Sequence, residues 1–213
     1  MTVPDRLEPL LAPDGLTVLG GFHPLPTDDL GAIRTLLMVG PGATFWQVFA
    51  ASDEYADGQP DPLDRWTRRV LGRIAHGLDA ISLFPFGGPP FHPFLSWARR
   101  TGRAWPSPVG LTVHAEQGLW LSYRGALGLY DEVPVPEAMP CPCDTCADRP
   151  CLTACPVDAL SAESYDVDRC QAHVTAPEGV ACRTAGCRVR AACPVGDDIP
   201  NARAAFHMEA FLR

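Results

Sequence analysis

The pattern of apolar and polar positions that precedes the first cysteine predicts a mixed α+β domain. Apolar runs at residues 16–20 and 34–39 predict two strands, and the second run is apolar from Leu36 onward, which is typical of a central strand. A shorter run at residues 80–83 predicts a third strand. These three strands would form the sheet of the domain.

Two further segments, residues 111–114 and 119–129, predict a β-hairpin. Alternation along the second segment places Trp120, Ser122 and Arg124 on one face of it. We therefore expect Trp120 and Arg124 to face the same surroundings.

Helical spacing of apolar residues is clearest after Asp61-Pro62. Asp61 is expected to cap this helix with its side chain, and Pro62 to occupy its first turn. The arginines on its polar side predict a solvated face, with a docking patch for an acidic partner as the alternative. The apolar face is predicted to contain Leu63, Trp66, Val70, Leu71, Ile74 and Leu78. A second helix is predicted at residues 94–101, after the glycine- and proline-rich loop 84–93.

Composition places the chain among folded globular proteins, since 46% of its 213 residues are hydrophobic and 20% are charged. All 17 residues counted as lysine or arginine are arginine, which excludes lysine Schiff-base chemistry and a Walker-type phosphate loop. The net charge of −8 predicts that nucleic acid is not a partner.

The N-terminal residues have neither the basic nor the apolar region of a secretory signal, and no apolar run approaches the length of a membrane span. We therefore expect a cytoplasmic protein with no membrane partner. The proline-rich segment 131–142 predicts a stiff, extended connector. It divides the chain into a first domain of residues 1–139 and a second of residues 140–213.

All nine cysteines lie between Cys141 and Cys193, and in a cytoplasmic chain this clustering favours metal binding over disulfides. One run, C-x2-C-x4-C-x3-C-P, ends at Cys155, and another, C-x4-C-x5-C-P, ends at Cys193. Both endings are typical of bacterial ferredoxins with two cubane clusters, in which the last cysteine of each run binds the other cluster. The predicted ligands are Cys143, Cys146, Cys151 and Cys193 for one [4Fe–4S] cluster, and Cys155, Cys170, Cys182 and Cys187 for the other.

This assignment leaves Cys141 over, and Cys141 is an alternative to Cys143 as a ligand. Zinc sites and disulfides remain alternatives to iron–sulfur clusters. Clusters in so small a domain would serve as relays for single electrons, supplied by an electron-donor protein or reductase. The domain is also expected to need its clusters to fold, because it has few large apolar side chains.

Two stretches of the first domain resemble a known family. Residues 35–74, with an Asp-Pro-x-Asp helix start, and residues 109–137 are similar to CblC-type cobalamin-processing proteins. The second stretch carries the Gly-x-Trp-x-x-x-Arg-Gly pattern of that family, from Gly118 to Gly125. Together with the order of the cysteines, the layout also resembles epoxyqueuosine reductases and reductive dehalogenases. This resemblance implies a nitroreductase-like domain that holds cobalamin, followed by a bacterial-ferredoxin-like domain with two [4Fe–4S] clusters.

The candidate corrinoid site combines the glycine-rich loop with the predicted hairpin, because a corrin needs a flat apolar pocket and close backbone approach. Its candidate residues are Phe86, Gly87, Gly88, His92, Val113, His114, Trp120 and Arg124. For three of them a structural role is the alternative: Trp120 as a core residue, His114 as a hydrogen-bonded strand histidine and His92 as a loop residue.

The function implied is single-electron transfer through two clusters to a corrinoid, in cobalamin reduction or processing. Queuosine chemistry is not expected, because loop 84–93 lacks the acidic residue of epoxyqueuosine reductases. The alternative is a ferredoxin-type carrier whose first domain docks a redox partner and holds no corrinoid; a flavin in that domain is a third interpretation. The sequence leaves open whether the chain is an enzyme, as a corrinoid-dependent or corrinoid-reducing oxidoreductase would be.

Overall fold

The computed structural model describes residues 3–196 and 200–212, with antiparallel sheets and helices in an α+β arrangement. The strands are β1 (Leu16–Phe22), β2 (Thr35–Pro41), β3 (Ile81–Leu83), β4 (Ala104–Pro106), β5 (Thr112–His114) and β6 (Gly125–Leu129). The helices are α1 (Val3–Leu11), α2 (Phe45–Ala50), α3 (Asp53–Ala56), α4 (Pro62–Gly77), α5 (Phe94–Arg100), α6 (Val167–Thr175), α7 (Val180–Ala185), α8 (Arg188–Ala191) and α9 (Asn201–Leu212).

The first of two compact units comprises residues up to 103 together with 122–138. It contains a four-stranded antiparallel sheet in the order β1-β2-β6-β3. Every residue of β2 is buried, which suits a strand with neighbours on both sides. The three predicted strands and the helix at residues 94–101 are thus confirmed, with ends shifted by one or more residues.

Helix α4 confirms the helix predicted after Asp61-Pro62, and its buried face centres on Trp66. The Trp66 ring meets Phe45 and Phe49 edge-on, with centroids 5.6 and 5.7 Å away. The prediction that the Asp61 side chain caps this helix is wrong. The backbone of Asp61 has the left-handed conformation, with φ of 51°, and its carboxylate accepts no hydrogen bond from the first turn. Three arginines of the exposed side form ion pairs, Arg65 with Asp57, Arg69 with Glu54 and Arg73 with Asp14.

The predicted hairpin does not form. Strand β5 pairs instead with β4, and β6 pairs with β2 and β3. Leu119, only 1% exposed, packs into the core of the second unit, whereas the Arg124 backbone N–H donates to the Val39 carbonyl in the first. Residues 120–124 therefore connect the second unit to the first and do not form one strand of a hairpin. The prediction that Trp120 and Arg124 share one face of such a strand is wrong.

The second unit comprises residues 104–121 and those from 139 onward. The chain passes into the second unit after residue 138, and residues 104–121 also belong to this unit. The connector is held to the first unit, because the Val133 N–H donates to the Thr35 hydroxyl and Arg103 donates to the Glu137 carbonyl. Among the described residues, no helix has the length and apolar character needed to cross a membrane.

The aromatic packing around α4 predicts the effect of truncating Trp66. We expect Trp66→Ala to lower the free energy of unfolding by about 3–5 kcal/mol, because it removes a large buried ring. Leu95→Ala, at a helical position that is 64% exposed, should change it by less than about 0.5 kcal/mol. Urea denaturation followed by circular dichroism measures both, and equal effects would contradict this account of the core.

Candidate metal centre

Four cysteines surround an apolar cavity in the second unit. Its lining contains Cys143, Cys146, Cys151 and Cys193, the four that the sequence analysis assigned to one cluster. Four prolines and the side chains of Val113 and Leu119 complete most of the apolar wall. The space amounts to about 370 Å³, counting its opening to solvent. We call it the first cavity.

A second cavity, of about 350 Å³ on the same measure, is lined by the other four assigned cysteines. These are Cys155, Cys170, Cys182 and Cys187. Apolar residues again form most of the wall, with Arg188 and His173 as the polar exceptions. The second unit therefore holds two thiol-lined spaces of nearly equal size.

Short elements fix the directions in which these cysteines point. Cys170 lies on α6 and Cys182 on α7, while Cys187 immediately precedes α8. Cys151 lines the first cavity, whereas Cys155, the next cysteine in the sequence, lines the second. In the same way, Cys187 lines the second cavity and Cys193 lines the first. Each run thus contributes its last cysteine to the cavity of the other, so both runs are needed to build each cavity.

Two of these eight thiols, Cys151 and Cys182, are buried, and the other six are half-buried. Burial raises the pKa of the Cys143 thiol to about 11, and the neighbouring cysteine sulfurs add to the shift. Burial also raises the pKa values of Cys151, Cys170 and Cys182. Four thiolates in one apolar space repel each other unless a metal cation lies between them, and bound metal removes the thiol protons. The donor set therefore suits a bound metal ion or metal cluster.

Zinc and a cubane cluster require different arrangements of the cysteine sulfurs. All nine cysteines are free thiols, so they form no disulfide. In residues 3–196 and 200–212, no three Cys, His, Asp or Glu side chains converge as ligands of a single ion. A tetrahedral zinc ion needs sulfurs about 3.8 Å apart, from its 2.3 Å bonds. A cubane cluster instead binds each sulfur at a different corner of the cube.

Gly118 explains why residues 104–121 belong with the cysteines. Its φ is +54°, and a Cβ there would lie 1.8 Å from the Val195 carbonyl oxygen and 3.1 Å from the Cys193 sulfur. A Cβ on Gly196 would likewise lie 2.7 Å from the Gln117 carbonyl oxygen. Backbone therefore packs directly on backbone beside Cys193, which only glycine permits.

The C-terminal helix α9 closes the second cavity, and sequence analysis missed it. Met208 of α9 is 4% exposed and lines this cavity. Phe211 of the same helix stacks on Tyr165, with centroids 6.0 Å apart. The recurrence of Ala204, Met208 and Phe211 at intervals of four and three residues is the signal that could have found it.

Among the candidate corrinoid residues, Phe86, Gly87, Gly88, His92 and Arg124 belong to the first unit. Arg124 forms a 2.5 Å ion pair with Asp64, and its guanidinium lies 5.9 Å from the Phe86 ring centroid. Burial lowers the pKa of Arg124, and Asp64 opposes that shift. His92 stacks on the buried Trp97 at 5.3 Å. The structure brings Phe86 and Arg124 together, with Arg124 held by a carboxylate.

The other three candidates, Val113, His114 and Trp120, belong to the second unit. Val113 lines the first cavity. Nδ1 of the buried His114 accepts backbone N–H groups of Glu116 and Gln117, which fixes the turn before Gly118. Trp120 meets His207 edge-on, with centroids 6.3 Å apart. Each therefore contributes to the structure of the cysteine-bearing unit.

Comparison of the chain with protein-family models and with curated proteins finds no match.

The contact at Gly118 predicts the effect of a single methyl group. Gly118→Ala should lower the melting temperature of the second unit, with a loss of at least about 2 kcal/mol, because it adds a backbone clash to the strain of positive φ. Gly58→Ala is the matched control, since its φ is +68° but open space surrounds it. It should cost only about 1 kcal/mol. Equal losses in the two variants would show that the contact with Val195 is unimportant.

Proposed function

We propose that this protein transfers single electrons through two [4Fe–4S] clusters, one held by the cysteines of each cavity. When bound, each cluster gains or loses one electron with little rearrangement. The finer fold assignments, a nitroreductase-like first unit and a bacterial-ferredoxin-like second unit, are part of the same proposal. A reduced electron-donor protein or reductase would supply the electrons.

One observation carries the proposal: two sets of four thiols, grouped from sequence spacing by the ferredoxin rule, line two separate cavities of similar size. Zinc would not require the crossing of Cys155 and Cys193 between the sets. A scaffold with crossed ligands suits paired clusters, because it keeps both close together on one small unit.

The side chains around the cysteines have recognisable tasks in this role. Val113, Leu119 and the prolines exclude water from the first cavity, and Val174 and Met208 do so at the second. The backbone N–H of Ala159 donates to the Cys155 sulfur at 3.2 Å. Such a hydrogen bond stabilises negative charge on a cluster ligand and thereby adjusts its reduction potential.

Iron and sulfide analysis of anaerobically purified protein tests the proposal. We expect about eight iron and eight sulfide atoms per chain. Cys193→Ser should lose the first cluster and weaken retention of the second, because both cysteine runs build each cavity. Cys141→Ser is the matched control and should retain both clusters, since Cys141 is absent from both linings.

Full iron retention in Cys193→Ser would contradict the crossed ligand sets. Stoichiometric zinc with little iron in the purified wild-type protein would overturn the proposal itself. Loss of iron in Cys141→Ser would instead make Cys141 a ligand, in the place of Cys143.

For the electron acceptor we propose a corrinoid bound by the first unit, as the family resemblance implies. The supporting observation is an aromatic surface at loop 84–93, where Phe91 is 65% exposed and the Arg68 and Arg124 guanidiniums flank the Phe86 ring at 5.5 and 5.9 Å. Apolar faces with flanking donors suit a corrin and its amide side chains. The contacts of His114, Trp120 and Arg124 favour structural roles for those three residues, and Val113 lines the first cavity. The remaining candidates are Phe86, Gly87, Gly88 and His92.

Titration of the reduced protein with cob(II)alamin tests the acceptor. We expect the visible spectrum of the corrinoid to change on binding and again on reduction, and Phe86→Ala to weaken both changes. Leu95→Ala, at another exposed apolar position, is the control. Spectra that stay unchanged with and without a strong reductant would rule out the corrinoid and leave the carrier that docks a redox partner.

A further inference from the structure

A wide groove lies on the second unit, with residues of α7 and α8 in its lining. Its volume is about 1170 Å³ on the measure used for the two cavities, about three times that of either one. Small side chains form its wall, with one arginine as the exception. The lining consists of Thr153, Ala154, Pro156, Ala181, Ala185, Gly186, Arg188, Ala191 and Ala192. We call it the α7–α8 groove.

The groove and the second cavity share part of a wall. Pro156 and Arg188 line both spaces, whereas no described residue lines both the groove and the first cavity. Three groove residues also directly precede cysteines of the second cavity in the sequence, and only Ala192 precedes a cysteine of the first. These three are Ala154, Ala181 and Gly186. A molecule in the groove would therefore be separated from the second cavity by a wall one residue thick.

The size and cover of the groove suit a protein partner. Small-molecule pockets usually measure about 300–1000 Å³ and enclose most of the ligand, whereas this groove is larger and open to solvent. Ala181, Ala185 and Ala191 are exposed in its wall, so little side-chain material lies over the backbone there. Because electron transfer slows steeply with distance, this thin cover would let the redox group of a partner come close to the second cavity.

The charge of the groove indicates the kind of partner. Arg188 is its charged residue; it is exposed, and it forms no ion pair with a described carboxylate. The helices α7 and α8 together contain three arginines and no acidic residue, although the whole chain has a net charge of −8. An exposed arginine without an ion-pair partner can bind a carboxylate of another protein. The groove therefore suits a partner with an acidic docking surface.

We infer that the α7–α8 groove is the docking surface for the electron-donor protein, that this donor is an acidic one-electron carrier, and that its electron enters at the second cavity. The carrier loses one electron and is oxidised, and the cluster gains it and is reduced; no bond or proton moves. The net charge of the chain repels an acidic carrier elsewhere, so Arg188 would also orient the carrier as it docks. The inference rests on the proposed function.

Stopped-flow measurement of cluster reduction tests the inference. The donor is a reduced plant-type ferredoxin, which is an acidic one-electron carrier, and the acceptor is the full chain with its clusters. Arg188→Glu should lower the second-order rate constant by about tenfold at low ionic strength, because it replaces an attraction by a repulsion. Added salt should narrow the difference between this variant and the wild type.

Arg99→Glu is the matched control. It makes the same change of charge at another exposed arginine without an ion pair to a described carboxylate, but in the first unit. It should change the rate constant far less than Arg188→Glu.

Ala191→Glu is a second test variant, because it places a carboxylate in the groove at a position outside the linings of both cavities. It should also slow reduction by ferredoxin, and it carries the test if Arg188→Glu loses iron. Photoreduced 5-deazariboflavin, a small neutral donor, should reduce the iron-replete variants as fast as the wild type.

Equal slowing in Arg188→Glu and Arg99→Glu would overturn the inference, because net charge would then control the reaction. Rates like the wild type in both Arg188→Glu and Ala191→Glu would overturn it as well. Slowing in Arg149→Glu alone would place docking at the first cavity, which Arg149 lines, and would contradict the inference. Absence of iron from the wild-type protein, or its failure to accept electrons from either donor, would instead overturn the proposed function.

Discussion

Cys155 and Cys193 each leave the run of cysteines to which they belong and line the cavity of the other run. Because of this crossing, neither cavity can form without the chain that builds its neighbour. The short helices α6, α7 and α8 are too brief to be stable alone, and they carry or adjoin Cys170, Cys182 and Cys187 of the second cavity. In the proposed function, metal–thiolate bonds at both cavities would therefore stabilise the whole second unit at once.

The segment 104–121 is the part of the chain that completes this unit. It contributes Val113 and Leu119 to the wall of the first cavity, and Gly118 brings its backbone against Val195 beside Cys193. The requirement for glycine at position 118 is thus steric, since any side chain there would push its backbone away from that of Val195. The cysteine-bearing unit consequently begins well before the first cysteine.

The sequence could predict the local features of this molecule, and distant contacts decided the rest. The periodicity of apolar residues located β2 and α4. The spacing of the eight cysteines along the sequence divided them into the same two sets of four that line the two cavities. The hairpin at residues 119–129 could not be excluded by its pattern, because contacts remote in the chain draw Leu119 into one unit and Gly125 into the sheet of the other. Met208 was missed because its position beside the cysteines of the second cavity exists only in three dimensions.

Mössbauer spectroscopy of iron-57-enriched protein, purified without oxygen, tests the central claim most directly, because it reports the type of every iron site. The account predicts that all the iron, about eight atoms per chain, has the spectrum of [4Fe–4S] clusters. Iron present as isolated ions or as two-iron clusters would contradict it.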